Sequence, residues 1–544
     1  MIPAVSRTRL LQLALAATGA LLADPRAALA SLRAPTLARL SVRNIGRRYA
    51  GDRRLFASVS PGVQGRDRAS IRFMLDRPAT VRLEAVRTAL RRRTTVWETT
   101  QELEAGAQRI WWKPDAKLPV GTYVMRLTVE DADGNARTYG GRRPATPARS
   151  TSPVVRVLGI EAGFEKRSYA PLEPAQLTVR ADADRLTLEF LACGTESEYT
   201  DRTDEMRGHP MGPPVSYGWN HKRSAPYKIA ITPGQWPSGV YAAKLATTDG
   251  RVGFAPLILR PATLGTARQA VVMPTNTWQA YNFDDSDGDG WGDTWYAGGN
   301  PPVRMDRPYR QRGTPPWFRR SDVPFLKFIR QTGKTPDFLA EDDLELFPSG
   351  EELRRLYDLV VFPGHTEYVT RHEYDLMRNY RDLGGNLAFL SANNFFWQVQ
   401  LQGRTLRRTR LWRDVGRPES SLLGVQYRGN DDGRIQRPYV VRAATTAPWF
   451  WAGTGLGDGA TFGQELGGYG IEIDQTSPST PPGTIVLAEI PDIFGPGLTA
   501  QMTYYETPQG AKVFAGGVID FGGSATVPTV RRMLENLWAR LAAP

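Results

Sequence analysis

Cysteine and histidine are scarce in this sequence, which has one cysteine and four histidines among its 544 residues. The lone Cys193 excludes an internal disulfide, a zinc site of paired thiolates and a Cys-X-X-Cys redox couple. Four histidines likewise exclude a histidine-rich metal site. A mean hydropathy of -0.39 excludes a polytopic membrane protein. The composition, with 41% hydrophobic residues, is that of a folded chain long enough for roughly three domains.

Several catalytic motifs are missing as well. The sequence contains no G-x-S-x-G nucleophile elbow, no H-E-x-x-H zinc motif, no Walker loop and no G-x-G-x-x-G after a strand. Cys193 lies in a β-rich region and is expected to be buried in a core. Enzymes that use a serine or cysteine nucleophile are therefore disfavoured.

A formal net charge of +13 raises the alternative of nucleic-acid binding, because phosphate contacts need clustered lysine and arginine. The densest basic runs are Arg91–Arg93 and Arg404–Arg413. Neither run is interleaved with evenly spaced aromatic residues. A solvated basic face is favoured over a nucleic-acid groove, and no nucleic-acid partner is expected.

Residues 1–30 have the form of an export signal. Two arginines precede the apolar run Leu10–Ala23, and Ala28–Ala30 has the small-x-small form of a cleavage site. The run is shorter than the roughly 20 residues needed to span a bilayer, so no permanent membrane span is expected. We predict an exported protein, whether periplasmic, extracellular or cell-wall associated, that is cleaved after Ala30. The spacing of the arginines leaves the Sec and twin-arginine routes both open.

Two stretches of the chain have the alternating pattern of β-strands. Residues 40–140 consist of short alternating runs separated by turn residues. Residues 141–153, rich in Pro, Arg, Ser and Thr, are interpreted as a linker, and the pattern restarts over 154–262. The motif Pro-x-Gly-x-Tyr occurs in both stretches and ends at Tyr123 and Tyr241. Two tandem immunoglobulin-like β-sandwiches are the simplest account.

The pattern changes over 263–544, where strands alternate with helices. Apolar strands are predicted at Gln269–Pro274, Asp358–Phe362 and Asn386–Leu390, with a helix at about Arg371–Leu383. Such alternation implies a parallel sheet covered on both faces. The predicted fold class is therefore multi-domain β plus α/β.

Polar residues follow two of these strands. His365 and Glu367 come just after Asp358–Phe362, and Asn393 follows the next strand. In open α/β sheets, ligands bind at the carboxyl ends of the strands. An extended backbone would project His365 and Glu367 to the same side, as acid/base groups or as a metal ligand with its helper. The alternative is a helix cap and an exposed ion pair, and the spacing alone favours neither. The amide of Asn393 could orient a polarised carbonyl.

An acidic loop lies beyond the predicted strand Gln269–Pro274. Asp285, Asp287 and Asp289 fit the D-x-D-x-D-G calcium pattern, with Asp293 at the ninth position. Tyr296 occupies the twelfth position, where a bidentate glutamate is usual. Three alternating carboxylates can surround one hard cation, so a structural Ca²⁺ site is favoured over an acidic turn.

From about Ser238 onward the sequence resembles the C-terminal region of the large (β) subunit of N,N-dimethylformamidase. The matching segments are Thr277–Asn282, Asp306–Tyr309, Gly364–Tyr368, Tyr380–Asn386, Asn393–Trp397 and Met502–Thr507. The resemblance implies a domain similar to a class I glutamine amidotransferase, with a flavodoxin-like sheet but without its cysteine. It also implies hydrolysis of a linear amide C–N bond at a mononuclear Fe(III) site.

The resemblance further assigns roles to individual residues. It implies that the iron ligands are the carboxylate of Glu367 and the phenolates of Tyr281 and Tyr241. The implied catalytic or supporting groups are His365, Asn393 and Glu506. Phenolates and carboxylates are hard oxygen donors, which suit Fe(III), and three protein ligands would leave positions open for polarising an amide carbonyl.

The chain departs from that family in its export signal and in its acidic loop, and the small subunit of that enzyme is a separate chain. Because of these departures, the resemblance predicts the site better than it predicts the substrate. We predict an exported amidohydrolase that acts on a small amide. The alternative is a catalytically inactive secreted or cell-surface binding protein with immunoglobulin-like domains. The sequence leaves open a homo-oligomer and a small partner subunit.

Overall fold

The structure is a computed structural model that describes residues 33–543 apart from 47, 89–92, 144–150, 197–199, 201, 220–223 and 297–298. The predicted export signal lies outside the described residues, and so does the middle of the predicted linker. In the described part of the chain, no helix combines the length and the apolar character needed to cross a bilayer. Most of the regular structure is β-sheet.

The first two sheets pack together as a β-sandwich. Inward-facing residues of both sheets, among them Val81, Ile71 and Trp112, are buried in one shared core. The smaller, antiparallel sheet consists of Leu37–Asn44, Ala69–Leu75 and Gly106–Trp112. The larger sheet consists, in spatial order, of Phe56–Val59, Val154–Val157, Gly121–Glu130, Ala79–Arg87 and Thr94–Leu103, with Ala136–Tyr139 paired to Gly121–Glu130.

The strand Val154–Val157 belongs to this first sandwich, which corrects the predicted domain boundary. It pairs in parallel with Phe56–Val59 and antiparallel with Gly121–Glu130, and it contributes buried valines to the first core. Residues 141–153 therefore precede a strand of the same sheet, and the strands of the second sandwich begin at Glu161.

The second sandwich repeats the arrangement of one small and one larger sheet around its own core. The small sheet consists of Glu161–Phe164, Ala175–Arg180 and Tyr227–Ile231. The larger sheet consists, in spatial order, of Ser168–Tyr169, Val252–Leu259, Gly239–Thr247, Arg185–Ala192 and His209–Pro210, with Val215–Gly218 also paired to Arg185–Ala192. Cys193 follows one of these strands and is buried, as expected.

Tyr123 and Tyr241 hold the same position in the two sandwiches. Both rings are buried. The Tyr123 hydroxyl donates to the carbonyl oxygen of Pro119 at 2.5 Å, and the Tyr241 hydroxyl donates to that of Pro237 at 2.7 Å. Each hydroxyl thus ties a central strand to the turn that precedes it. The Pro-x-Gly-x-Tyr motif is therefore a structural feature of a sandwich corner, related to the tyrosine corner of immunoglobulin folds.

A nine-stranded mixed sheet forms the centre of the remaining chain. Five strands on one side are parallel and, numbered along the chain, lie in the order 2-1-3-4-5. These strands are nearly continuous apolar runs, as expected where both faces are covered. In spatial order the sheet consists of Asp337–Ala340, Gln269–Met273, Leu359–Phe362, Asn386–Phe389, Lys512–Ala515, Ala500–Glu506, Ile485–Ile490, Tyr439–Val441 and Thr461–Phe462.

Shorter sheets are built from the connections between these strands. A four-stranded sheet consists of Val303–Arg304, Thr405–Leu411, Trp397–Gln402 and Tyr368–Thr370. Two strand pairs consist of Gln426–Asn430 with Glu472–Gln475 and of Gln436–Arg437 with Tyr469–Gly470.

The helix Arg371–Asp382 begins and ends where its sequence dictates. The Thr370 hydroxyl accepts the Glu373 N–H at 3.1 Å while the Glu373 carboxylate accepts the Thr370 N–H, a capping box. Gly384, with a φ of 85°, follows the last turn as a left-handed C-terminal residue. The other helices are Thr275–Ala280, Val323–Gln331, Gly350–Leu356, Ser420–Leu423, Pro448–Trp451 and Pro528–Leu541, with short helical turns at Phe318–Asp322, Glu341–Leu346, Arg413–Val415, Gln464–Leu466 and Gly522–Ser524.

Removing either corner hydroxyl should weaken the fold. We expect Tyr123→Phe and Tyr241→Phe each to lower the free energy of unfolding by about 1 kcal/mol, because the buried ring loses the hydrogen bond from its hydroxyl to the preceding turn. Urea unfolding of the whole chain measures the change. Tyr227→Phe, in a ring that is 43% exposed, is the matched control and should stay within about 0.5 kcal/mol of the parent. Unchanged stability in both corner variants would contradict this role.

Candidate functional site

Tyr281 and Glu367 reach the same place from two neighbouring strands. The strand Gln269–Met273 runs into the helix Thr275–Ala280, and Tyr281 follows that helix directly. The loop that carries Glu367 follows the strand Leu359–Phe362, which is the parallel neighbour of the first strand. The strand order reverses at Gln269–Met273, and doubly wound sheets open a crevice at such a point, beyond the carboxyl ends of the strands.

At this edge of the sheet, the Tyr281 hydroxyl donates a hydrogen bond to Oε2 of Glu367. Both side chains are buried. Two more phenols are close: the ring centroid of Tyr281 lies 5.0 Å from that of Tyr296 and 6.0 Å from that of Tyr368. The Tyr368 hydroxyl also faces the Glu367 carboxyl group. The result is a compact set of buried oxygen donors.

Backbone contacts hold the Glu367 loop in place. The Glu367 N–H donates to Oγ1 of Thr277 at 3.1 Å, and its carbonyl oxygen accepts the Trp397 N–H at 2.9 Å. Gly364 passes so close to Pro274 that a Cβ at this position would lie 2.9 Å from the proline Cγ. The sequence Gly-His-x-Glu-Tyr thus needs its glycine for close approach to the neighbouring strand.

His365 lies between two carboxylates. Its Nε2 is 3.7 Å from Oε2 of Glu367 and 3.5 Å from Oε2 of Glu472. Both ring nitrogens are buried and neither meets strict hydrogen-bond geometry with a described residue, while the backbone of Asn393 lies close enough to oppose the effect of burial on the pKa of the ring. Burial lowers the pKa of His365 to about 4, which keeps the imidazole neutral near pH 7. A neutral ring nitrogen in this position is available to a ligand or to a proton.

Glu472 is a site residue that the sequence analysis missed. Its Oε1 accepts the Asn430 side-chain amide at 2.9 Å, and its Oε2 accepts that of Asn393 at 2.9 Å. Asn393 has a φ of 55°, a left-handed conformation that asparagine tolerates, and its N–H donates to Asp474 at 2.9 Å. The alternating acids Glu472 and Asp474, in a Gly-rich stretch of the sequence, were the one local signal.

The electrostatics of the site are set by buried acidic groups, and the charge of Arg408 offsets only part of their effect on the Glu367 carboxyl group. Burial and the charge of Glu472 raise the pKa of Glu367 to about 8. Burial, followed by the charge of Glu367, raises the pKa of Tyr281 well above its ordinary value. In the described part of the chain, neither lysine nor arginine forms an ion pair with Glu367. A bound cation would favour the ionised forms of these oxygen groups.

Tyr241 and Glu506 do not lie at this site, which corrects two predicted roles. The Tyr241 ring stacks on Trp236 in the second sandwich, with centroids 5.3 Å apart, and its hydroxyl is bonded to Pro237. Glu506 has a side chain that is 44% exposed and pairs with Arg540 at 2.8 Å. The motifs that carry these residues are present, but the fold directs both side chains elsewhere.

Three of the four predicted calcium ligands come together. Oxygens of Asp285, Asp287 and Asp289 lie within 4.8 Å of one another. Burial and the charge of Asp287 raise the pKa of Asp289 to about 6. Asp293 stands outside this group, and its Oδ2 accepts the Ser286 N–H at 3.2 Å.

A cavity of about 660 Å³ opens on the site. Tyr281 and Asn430, which contact the two site glutamates, form part of its wall. Aromatic side chains of Phe283, Tyr296 and Trp317 line it further. Its volume lies within the range of roughly 300–1,000 Å³ that is usual for clefts binding small organic ligands.

Tyr281 and Glu367 thus meet beyond the carboxyl ends of neighbouring parallel strands, beside a cavity of the size usual for small organic ligands. The family follows from comparison with known proteins. The chain belongs to the N,N-dimethylformamidase beta subunit-like, C-terminal family, whose model matches residues 213–532. All the residues assigned above to the site lie within that range.

Two relatives are named N,N-dimethylformamidase beta subunit. The protein from Paracoccus aminophilus is 24% identical over 317 residues, which cover 47% of this chain and 41% of the relative. The protein from Alcaligenes sp is 24% identical over 300 residues, which cover 45% of this chain and 39% of the relative. The match thus spans less than half the length of these relatives.

Solved structures add little. Salmonella alpha-2-macroglobulin reacted with methylamine aligns over 42% of this chain and 17% of that chain, with 7% identity and a TM-score of 0.21. SGBP-B of the Bacteroides ovatus mixed-linkage glucan utilization locus, in complex with a mixed-linkage heptasaccharide, aligns over 40% of this chain and 46% of that chain, with 12% identity and a TM-score of 0.16. TM-scores this low carry no argument about fold or function.

The raised pKa of Glu367 makes the stability of the metal-free protein depend on pH. Between its unfolded pKa near 4.5 and its folded pKa of about 8, the unfolded chain releases this proton while the folded chain keeps it. Stability from this group is therefore complete at low pH and is lost as pH rises, by roughly 1.4 kcal/mol per pH unit. We expect Glu367→Gln to flatten the fall in melting temperature between pH 5 and 8. Parallel curves for parent and variant would contradict this.

Proposed function

We propose that this chain hydrolyses the C–N bond of a linear amide at a mononuclear ferric site. The family match and the names of the relatives support an amide hydrolase. The observation that carries the proposal is the convergence of Tyr281, Glu367, His365 and Glu472 in one buried site at the wall of a cavity. The 2-1-3-4-5 strand order, which flavodoxin-like sheets also have, supports the likeness to a glutamine amidotransferase domain.

The donor set fits ferric iron. Glu367 and Tyr281 supply oxygen ligands, and Tyr368 replaces Tyr241 as the second phenol because its hydroxyl faces the Glu367 carboxyl group. Phenolate and carboxylate oxygens are hard donors, which match a hard trivalent ion better than a soft metal. The neutral imidazole of His365 stands beside them, and neither of its ring nitrogens meets strict hydrogen-bond geometry with a described residue. Tyr296, packed against Tyr281, is the alternative phenol.

The remaining residues divide the proton transfers of hydrolysis between them. Water adds to the amide carbonyl carbon, the C–N bond breaks, and the amine leaves with a proton. Glu472, oriented by the amides of Asn393 and Asn430, accepts the proton of the attacking water. His365, 3.5 Å from Glu472, relays a proton to the leaving nitrogen. When bound, iron supplies Lewis-acid polarisation of the amide carbonyl.

We also propose that the protein acts after export, on the basis of residues 1–30. The chain spans less than half the length of the dimethylformamidase subunits that it matches. A small partner subunit and a homo-oligomer are therefore part of this proposal.

The iron proposal predicts a coloured protein. Chain loaded with ferric iron should show a visible tyrosinate-to-iron absorption band and should hydrolyse N,N-dimethylformamide or a larger amide. We expect Glu367→Gln and Tyr281→Phe to abolish the band and to reduce hydrolysis by about a hundredfold or more, since loss of groups that hold a metal costs at least this much. Metal analysis, absorption spectroscopy and an amine-release assay measure these effects.

Two tyrosine variants serve as controls, and two more identify the second phenol ligand. Tyr123→Phe and Tyr241→Phe remove hydroxyls that are bonded within their own sandwich corners and should leave the band and the hydrolysis in place. Tyr368→Phe should shift or remove the band, and Tyr296→Phe should do so instead if Tyr296 is the second ligand. Colourless protein whose amide hydrolysis is unchanged in Glu367→Gln would refute the proposal.

We further propose that the Asp285 loop binds a structural Ca²⁺ ion. The loop rests on the first sandwich: the Arg53 guanidinium donates to the carbonyls of Asp287 and Gly288, and the Trp291 side chain packs in a cluster with Phe56. A cation there would neutralise the clustered carboxylates and secure the loop against the sandwich. Its role would be structural.

Chelation should therefore lower the melting temperature of the chain, and added Ca²⁺ should restore it, because a ligand that binds the folded state stabilises it. Differential scanning calorimetry measures the shift. Asp285→Asn should melt at the same temperature with and without chelator, whereas Asp431→Asn, in an unrelated acidic turn, should respond like the parent. A parent melting curve that chelator does not move would contradict the site.

A further inference from the structure

The cavity that opens on the site is basic. Its charged lining consists of Arg87, Arg310, Arg320 and Arg434 against Asp432 and Asp520, an excess of two positive charges. Asp520 is already engaged by Arg320, at 2.5 Å, and by Ser321. The excess therefore falls on the other arginines. A small neutral amide has no charge that would require this excess of arginine in the wall.

Two of these arginines, Arg87 and Arg310, have no acid within ion-pairing distance in the described part of the chain. Arg87 ends a strand of the first sandwich, and its Nε is buried without a hydrogen-bond partner. Burial lowers the pKa of Arg310; Tyr123, Asp284 and Glu161 oppose that effect, the two acids from the side of a neighbouring cavity, and the charge of Arg87 adds a smaller lowering. Two half-buried guanidinium groups of like charge are costly unless an anion joins them.

Contacts at both ends of Arg310 fix its position. Its N–H donates to Oδ1 of Asn282, the residue after Tyr281, at 2.9 Å. Its guanidinium group fills the space beside Gly121, where a Cβ would lie 0.7 Å from Nη2. Gly121 belongs to the first Pro-x-Gly-x-Tyr motif; a Cβ at the equivalent Gly239 would meet the Tyr241 ring at 3.5 Å, and no arginine among the described residues lies beside it. The first sandwich thus supplies both Arg87 and the seat of Arg310.

We infer that the amide substrate of this site carries a carboxylate, which Arg87 and Arg310 bind while the amide lies against Tyr281. Paired guanidinium groups favour carboxylates through charge-assisted, bidentate hydrogen bonds. Phe283 and Trp317 provide apolar surface for the rest of the molecule. An N-acyl amino acid has this combination of groups. The inference rests on the proposed function for its amide and on the arginines for its carboxylate.

Arg87 lies outside residues 213–532, the part of the chain that matches the family. The wall that selects an anion is therefore formed in part by the first sandwich. This explains how a site with the family's residues could take a larger, charged amide.

The test compares two probes that differ in one charge: N-benzoylglycine, which has a carboxylate, and its neutral counterpart N-benzoylglycinamide. Binding to the whole chain is measured by calorimetry and by quenching of tryptophan fluorescence, without need of turnover. We expect N-benzoylglycine to bind about tenfold more tightly or better than the neutral amide. Its affinity should also fall with added salt, and that of the neutral amide should not.

Arginine variants locate the contact. Arg310→Gln and Arg87→Gln should each weaken binding of N-benzoylglycine by about tenfold and leave the neutral amide unaffected. Arg310→Lys should keep part of the affinity, and Arg532→Gln, on the last helix, should change nothing. Equal affinity for both probes, or parent-like binding in both Gln variants, would overturn the inference.

The outcomes separate this inference from the proposed function. Hydrolysis of the neutral amide with no preference for the acid would keep the amidase and remove the carboxylate site. Arginine-dependent binding of N-benzoylglycine without hydrolysis by the iron-loaded chain would keep the carboxylate site and remove the amidase.

Discussion

The hydrogen bond between the Tyr281 hydroxyl and the Glu367 carboxylate is the contact on which this account depends. It joins segments 86 positions apart in the numbering, and it exists because their strands are neighbours where the sheet reverses its order. Gly364 permits the close passage of one loop past the other strand. If that packing changed, His365 would no longer lie between the carboxyl groups of Glu367 and Glu472.

The site concentrates groups that destabilise a fold. Two buried glutamates, a neutral imidazole and a set of phenols share a small volume, and the carboxyl group of Glu367 has no cationic side chain paired with it among the described residues. Such arrangements are typical of functional sites, where stability is given up for binding or chemistry. The surrounding apolar sheet and the asparagine amides on Glu472 hold the arrangement in place.

Local signals in the sequence predicted much of this structure. Alternating strands and the Pro-x-Gly-x-Tyr repeat indicated the sandwiches, polar residues directly after buried strands indicated His365, Glu367 and Asn393, and the family resemblance indicated Tyr281. Non-local pairing was invisible: Val154–Val157 joins a strand about a hundred positions earlier, so the boundary was misplaced. Glu472 lies in a short inserted strand that has no periodic pattern in the sequence. Tyr241 belongs to a motif that forms a sandwich corner, so its presence did not indicate a metal ligand.

The most direct test is to locate the metal itself. Anomalous diffraction at the iron edge, from crystals of the iron-loaded chain, should give one strong peak within bonding reach of the Tyr281 hydroxyl oxygen and the Glu367 carboxylate. Tyr368 or Tyr296 should complete the donor set. A peak at the Asp285 loop alone, or no iron peak beside Glu367, would contradict the central claim.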